Sequence, residues 1–192
     1  MNTRYLIWIF VAVLLGAIMF ANARMQFKSA KNEPVKQYIE EAGITVTAPQ
    51  LEKKTVNESQ IKENYKDLIE YAAVYGVFYK KTEYSVIYML YKNEINMDDA
   101  VQNIVSLFAD KSFKYEITES EENGDEKAGV SGTFDINGKK FGTEVLLIKR
   151  DLNFWKVISV YPYSEENKEL AENYINSAAT DEIISHKAEK KQ

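Results

Sequence analysis

Residues 132–160 read GTFDINGKKFGTEVLLIKRDLNFWKVISV, and their alternation decides what kind of domain this chain builds. Asn137-Gly138, between Ile136 and Lys139, is the strongest short-range hairpin signal available, because both central positions of a type I′ turn need positive φ. A strand is predicted before it over 130–136 and another after it over 141–149. Asp151-Leu152-Asn153 supplies a second turn. The run FWKVISVY, residues 154–161, follows as a strand that Pro162 ends. Upstream, Phe113, Tyr115 and Ile117 alternate with Lys114, Glu116 and Thr118, which is again period two. The segment ENGDEKAG between them is rich in turn formers and reads as a loop. The expected product is an antiparallel meander of four strands.

Ahead of the meander the periodicity reads as helical. Asn57 or Ser59 can cap a helix running to about Lys81, with Ile61, Tyr65, Leu68, Ile69, Ala72 and Gly76 on one face. Its second half, AAVYGVFY, is apolar all round. Tyr71, Val74 and Phe78 then point away from the main stripe, and something must cover them. A second helical stretch is expected over 85–92. A third starts at Asn96, with Asp98 and Asp99 in the first turn, where the helix dipole favours anions. Ser164 caps a last helix to about Ser177, with Leu170, Tyr174 and Ala178 as its stripe. In the segment 24–56, Pro34 can open a short helix that Gly43 ends. The expected fold class is α+β: helices packed on a curved four-stranded antiparallel sheet over 57–163. A membrane segment (1–23) and a spacer (24–56) precede it, and a C-terminal helix and tail (164–192) follow.

The membrane expectation rests on YLIWIFVAVLLGAIMFA, Tyr5 to Ala21, which carries no charge. Seventeen helical residues span roughly 25 Å, the low end of a bilayer core. Tyr5 and Trp8 suit the interface, and Ala12 with Gly16 makes a small-xxx-small pair for close helix packing. Ala21-Asn22-Ala23 is also a plausible cleavage site, so a retained anchor and a removed signal are both open, the anchor being favoured. Only Arg4 precedes the run, whereas Arg24, Lys28, Lys31 and Lys36 follow it. That flank favours a cytoplasmic domain, while the layout of short head and cleavage site favours export. The expected location is the inner (plasma) membrane with the domain outside the cytoplasm. Release after Ala23 and a cytoplasmic domain are the alternatives.

The 192-residue chain carries a formal charge of −5, which argues against nucleic-acid binding. It has no cysteine, so disulfides, thiol catalysis and cysteine-bound metals are excluded. His186, the one histidine, has no second imidazole to share a metal and reads as a surface residue of the tail. The acidic run ESEENGDE, Glu119 to Glu126, lacks the ligand spacing of a calcium loop and reads as solvated. No cofactor, metal or catalytic residue is expected. Tyrosine is abundant, at 13 residues, and its apolar body with a polar tip suits half-buried surfaces and interfaces.

The element order, with Gly132 to Val160 leading into Trp155-Lys156-Val157 on the final strand, resembles the nuclear transport factor 2-like (cystatin-like) superfamily over about 57–163. The resemblance implies a cone whose sheet curls round a long helix, a frame used by isomerases, dehydratases, carriers and scaffolds alike. The short head, single membrane helix and following domain are also similar in architecture to the inner-membrane assembly component of type IV secretion systems.

The expected function is a non-enzymatic, membrane-tethered interaction module of an envelope assembly. Its partner, another envelope protein or a second copy, would be met by Tyr71, Val74, Phe78, Tyr84, Tyr88 and Tyr91. The alternative is a binding protein for a small apolar ligand held in the cone.

Overall fold

In the computed structural model, which describes residues 29–54 and 67–181, the apolar run IEYAAVYGVFY is a strand, Ile69–Tyr79. Ala73, Tyr75, Val77 and Tyr79 pack to one side of it, and Val74 and Phe78 to the other. A strand buried on both faces reads as a continuous apolar run, which helical counting cannot tell from a buried helix. The next segment, Thr82–Tyr91, pairs back on it as a second long strand. The turn between them is Lys80-Lys81, both at positive φ (46° and 68°). No glycine or asparagine marks it, so the hairpin has no turn signal. The helix expected to Lys81 and the one expected over 85–92 are therefore corrected to strands, and residues 57–66 lie outside the described residues. The short helix expected after Pro34 is likewise a strand, Val35–Ile39.

The strands in chain order are β1 (Val35–Ile39), β2 (Ile44–Ala48), β3 (Glu52–Lys54), β4 (Ile69–Tyr79), β5 (Thr82–Tyr91), β6 (Lys114–Glu122), β7 (Asp125–Ile136), β8 (Lys139–Arg150), β9 (Asn153–Pro162) and β10 (Ala179–Thr180). Two α-helices stand among the described residues: α1 (Met97–Ser106) after β5 and α2 (Glu165–Asn176) after β9. Seven strands form one antiparallel sheet in the order β3-β4-β5-β9-β8-β7-β6, and β1-β2-β10 form a second sheet of three. The chain is thus mostly β, and the expected layout of helices on a four-stranded cone is overturned.

Where the sequence alternates strictly, expectation and structure agree. Asn137 and Gly138 turn at φ 51° and 74° between β7 and β8. Asn96 caps α1, its side chain accepting from the Asp99 N–H at 3.2 Å, and Ser164 caps α2. ENGDEKAG is tighter than expected: Asn123-Gly124 alone makes the turn, and β7 starts at Asp125.

The large sheet is the middle layer. On its α1 face, Val74, Ile87, Met89, Phe154, Ile158, Val145, Leu147 and Val130 pack with Met97, Val101, Ile104 and Phe108. On its α2 face, Ala73, Tyr75, Tyr84, Val86, Tyr88, Trp155 and Val157 meet Ile39, Ile44 and Val46 of the small sheet and Tyr174 of α2. Strand β6 closes one edge and is exposed along its whole length. Glu116, Glu119, Glu121 and Glu122 stud it, as charges commonly guard an open edge against pairing with other chains. No helix among the described residues is long and apolar enough to cross a membrane. Tyr5, Trp8, Ala12 and Gly16 lie outside the described residues, as does His186.

Candidate interaction groove

The turn between β1 and β2, Glu40 to Gly43, is held to the large sheet from beneath. The indole Nε1–H of Trp155 donates to the Ala42 carbonyl at 2.6 Å, with both residues fully buried. Gly43 then reverses the chain at φ 55°. This anchoring sets Glu41, next to Ala42, above the β3–β4 edge of the large sheet. Its carboxylate accepts from the Tyr75 hydroxyl at 2.7 Å and the Tyr71 hydroxyl at 3.1 Å, and it pairs with the Lys53 ammonium. The Lys53 hydrogen bond, then that of Tyr75, hold the Glu41 carboxyl below its ordinary value. Burial, then the hydrogen bond to Glu41, raise both tyrosine hydroxyls, so they stay neutral donors.

Beside this cluster runs an open groove of about 490 Å³, lined by Val35, Tyr38, Glu41, Leu51, Lys53 and Tyr75 among others. It lies between the two sheets' edge strands, β1 and β3. Val35 and Tyr38 are each more than half exposed, and Tyr71 is 38% exposed. Tyr38 is steadied by donating to Asp181 Oδ2 at 3.1 Å, so its ring is displayed without being packed. Behind the groove the aromatic ladder Tyr71–Tyr88–Trp155 continues into the core at centroid distances of 6.0 and 5.6 Å.

The expected partner residues are split by the sheet. Tyr71, Tyr84 and Tyr88 lie on the α2 face, and Val74, Phe78 and Tyr91 on the α1 face. Tyr71 reaches the surface. Tyr84 is buried edge-on against Tyr174, and Tyr88 is buried with its hydroxyl donating to Asn153 Oδ1 at 2.8 Å. Val74 is buried in the α1-face core, while Phe78 and Tyr91 are half-buried against it. Tyr38, Glu41 and Lys53 were not singled out from the sequence. Period two over VKQYI would have set Tyr38 beside Lys36 on the polar side, and nothing local announces that Glu41 meets Tyr71 and Tyr75 thirty and more positions away. Among the described residues no cluster of histidine, cysteine or carboxylates is arranged to hold a metal.

Three carboxylates, Glu83, Asp125 and Glu144, are buried away from the groove. Glu144 on β8 is 7% exposed beneath α2 and accepts from the Tyr161 hydroxyl at 2.9 Å. Tyr161 lies over Gly142, where an added Cβ would come within 2.3 Å of the ring. Burial raises the Glu144 pKa, against hydrogen bonds from Ser131 and Tyr161. A carboxyl with a raised folded pKa favours the fold most when protonated. That contribution is whole below the ordinary glutamate value and is lost as pH rises through the folded value. Glu144→Gln keeps an acceptor for Tyr161 and cannot ionise. It is expected to melt higher than wild type at about pH 7 and level with it near pH 3, as calorimetry at the two pH values will show. A lower midpoint at neutral pH would mean the charge is needed.

No family model matches the chain, and no curated protein sequence matches it. Solved structures with partial likeness include PA94, a protein of unknown function from Pseudomonas aeruginosa described as a candidate regulator. It shows 10% identity and a TM-score of 0.38, over 74% of this chain and 95% of that one. Another is LpqN of Mycobacterium tuberculosis, involved in cell envelope biogenesis, with 10% identity and a TM-score of 0.44, over 78% of this chain and 91% of that one. Nothing about the function of this chain follows from either likeness.

Proposed function

We propose that this chain is a non-enzymatic interaction module, held at a membrane by the apolar run Tyr5 to Ala21, that binds an envelope protein in the groove lined by Tyr38, Glu41 and Tyr75. The observation that carries the reading is the display of Val35 and Tyr38 on one open groove, with the exposed Tyr71 beside it on Glu41. Partner binding there orders few new side chains, which keeps the entropic cost low. Tyrosine adds a large contact area with few rotatable bonds. Glu40, Glu41 and Lys53 line it with two negative charges and one positive, and among the described residues β1 is an edge strand along it.

A photo-crosslinking residue placed at Tyr38 or at Tyr71 in the full chain, irradiated in intact membranes, is expected to give the same discrete adduct. The same residue at Glu169, on the exposed side of α2, should give none. Tyr38→Ala with Tyr71→Ala should weaken the captured complex about tenfold or more, as loss of interface tyrosines does, with an unchanged thermal midpoint. Equal adducts at all three positions, or none at the groove, would end this reading.

A further inference from the structure

The large sheet sorts its charge along the strand direction. At one end lie the β4–β5 turn with Lys80 and Lys81, the β7–β8 turn followed by Lys139 and Lys140, and the start of β6 at Lys114. All five lysines are exposed. Strands lie about 4.8 Å apart, which sets the two turns roughly 14 Å from each other. The opposite end carries the β6–β7 turn between Glu122 and Asp125, the β8–β9 turn at Asp151, and the start of α1 with Asp98 and Asp99. Bases at that acidic end are ion-paired: Lys127 with Glu122 at 2.6 Å, Lys149 with Glu126 at 2.9 Å and Arg150 with Asp125 at 2.6 Å. At the lysine end, Lys80 reaches Glu33 only at 3.9 Å. Among the described residues Lys81, Lys114, Lys139 and Lys140 have no ion pair. Asp135 and the first-turn acids of α2, Glu165 and Glu166, share this end without pairing to those four. The Lys140 ammonium stands 4.1 Å from the ring centroid of Tyr163, which is exposed.

The chain also enters the domain at the lysine end. Ser29 bridges to Phe78, one residue short of the tip of β4, and the Ala30 N–H donates to the Phe78 carbonyl at 2.7 Å. Residues 22–28 are all that separate this point from the apolar run that ends at Ala21. A stretch of that length reaches at most about 25 Å when fully extended. The tether therefore brings the lysine end, and not the acidic end, to the bilayer. The plain alternative is that turn lysines are simply solvated. Solvation alone gives no reason for bases to be free at the end where the tether enters and ion-paired at the far end. An anionic leaflet attracts lysines over about a Debye length, and it repels the acids opposite, which orients the domain. An exposed tyrosine among the lysines suits the headgroup level.

We propose that this end of the large sheet rests on an anionic lipid surface, with Lys80, Lys81, Lys139 and Lys140 against the headgroups and Tyr163 beside them; the proposal builds on the membrane tether put forward above. The test incorporates the full chain into nanodiscs of phosphatidylcholine alone and of phosphatidylcholine with a third of phosphatidylglycerol. Each sample is acetylated at trace level with a water-soluble ester, and every lysine is read by mass spectrometry. Lys92, exposed just past the end of β5 on the acidic side, is the internal reference. Relative to Lys92, the residues Lys81, Lys139 and Lys140 are expected to react about threefold or more slowly in the anionic discs than in the neutral ones. High salt should remove the difference. Ratios that match in the two lipids would overturn the proposal and leave the tether standing. A chain that enters neither disc would end the tether reading, and this one with it.

Discussion

Trp155→Ala is expected to cost about 3–5 kcal/mol of folding stability, the range for deleting a large buried ring, and to loosen the β1–β2 hairpin from the large sheet. The ring is fully buried on the central strand and contacts Tyr88 at a centroid distance of 5.6 Å. Its N–H is the partner of the Ala42 carbonyl. Truncation therefore opens a cavity and leaves a buried acceptor without its donor, two losses that reinforce each other. Trp155→Phe separates them. It keeps most of the ring and removes the N–H, and should cost about 1–3 kcal/mol. Urea unfolding of the two variants gives both numbers. Because Glu41 adjoins the tethered carbonyl, amide exchange in the β1–β2 turn should rise in both. A loss below about 1 kcal/mol for Trp155→Ala would mean that the surroundings close over the space, contrary to the packing described.

Arg150→Ala is expected to cost about 3–5 kcal/mol, as removing one partner of a buried ion pair does. Arg150 Nε donates to Asp125 Oδ1 at 2.6 Å, Nη1 to the Asp181 carbonyl at 2.8 Å and Nη2 to Thr180 Oγ1 at 2.9 Å. Thr180 in turn donates to Asp125 Oδ2. One guanidinium thus ties the end of β8 to β7 and to the last strand, β10, and with it the small sheet to the large one. Asp125 is 2% exposed, so the alanine variant leaves a carboxylate buried and unpaired. The double variant Arg150→Met with Asp125→Leu removes both charges and should recover most of the loss. Additive losses in the double variant would show that the two side chains act separately and that the network does not work as a unit.

The two hairpins that the sequence announces, at Asn137-Gly138 and in the Asp151 turn, share a cause. Their turns use residues that tolerate positive φ, Asn137, Gly138 and Asp151. The helix caps at Asn96 and Ser164 are legible for a similar reason, since a side-chain acceptor two or three residues before an amphipathic run acts locally. The β4–β5 hairpin escapes because its turn signal is missing. Its strands are apolar on both faces, as β8 and β9 largely are, but its turn is Lys80-Lys81 with no turn-forming residue to mark it. Tyrosine abundance pointed to a surface, yet Tyr84 and Tyr88 are core and Tyr38 is the displayed ring, because exposure depends on which layer lies above each strand.

By itself, then, the sequence determined an acidic, cysteine-free chain with an apolar head, a four-stranded antiparallel meander over about 113–161 and two capped helices. These follow from composition and from interactions within a few residues. Only the tertiary structure decided that residues 69–79 and 82–91 are strands, that the small sheet and α2 cover one face, and that Tyr38, Glu41 and Tyr75 meet at one groove. Each of these depends on contacts between residues tens of positions apart, where what covers a side chain, and not its own chemistry, sets its role.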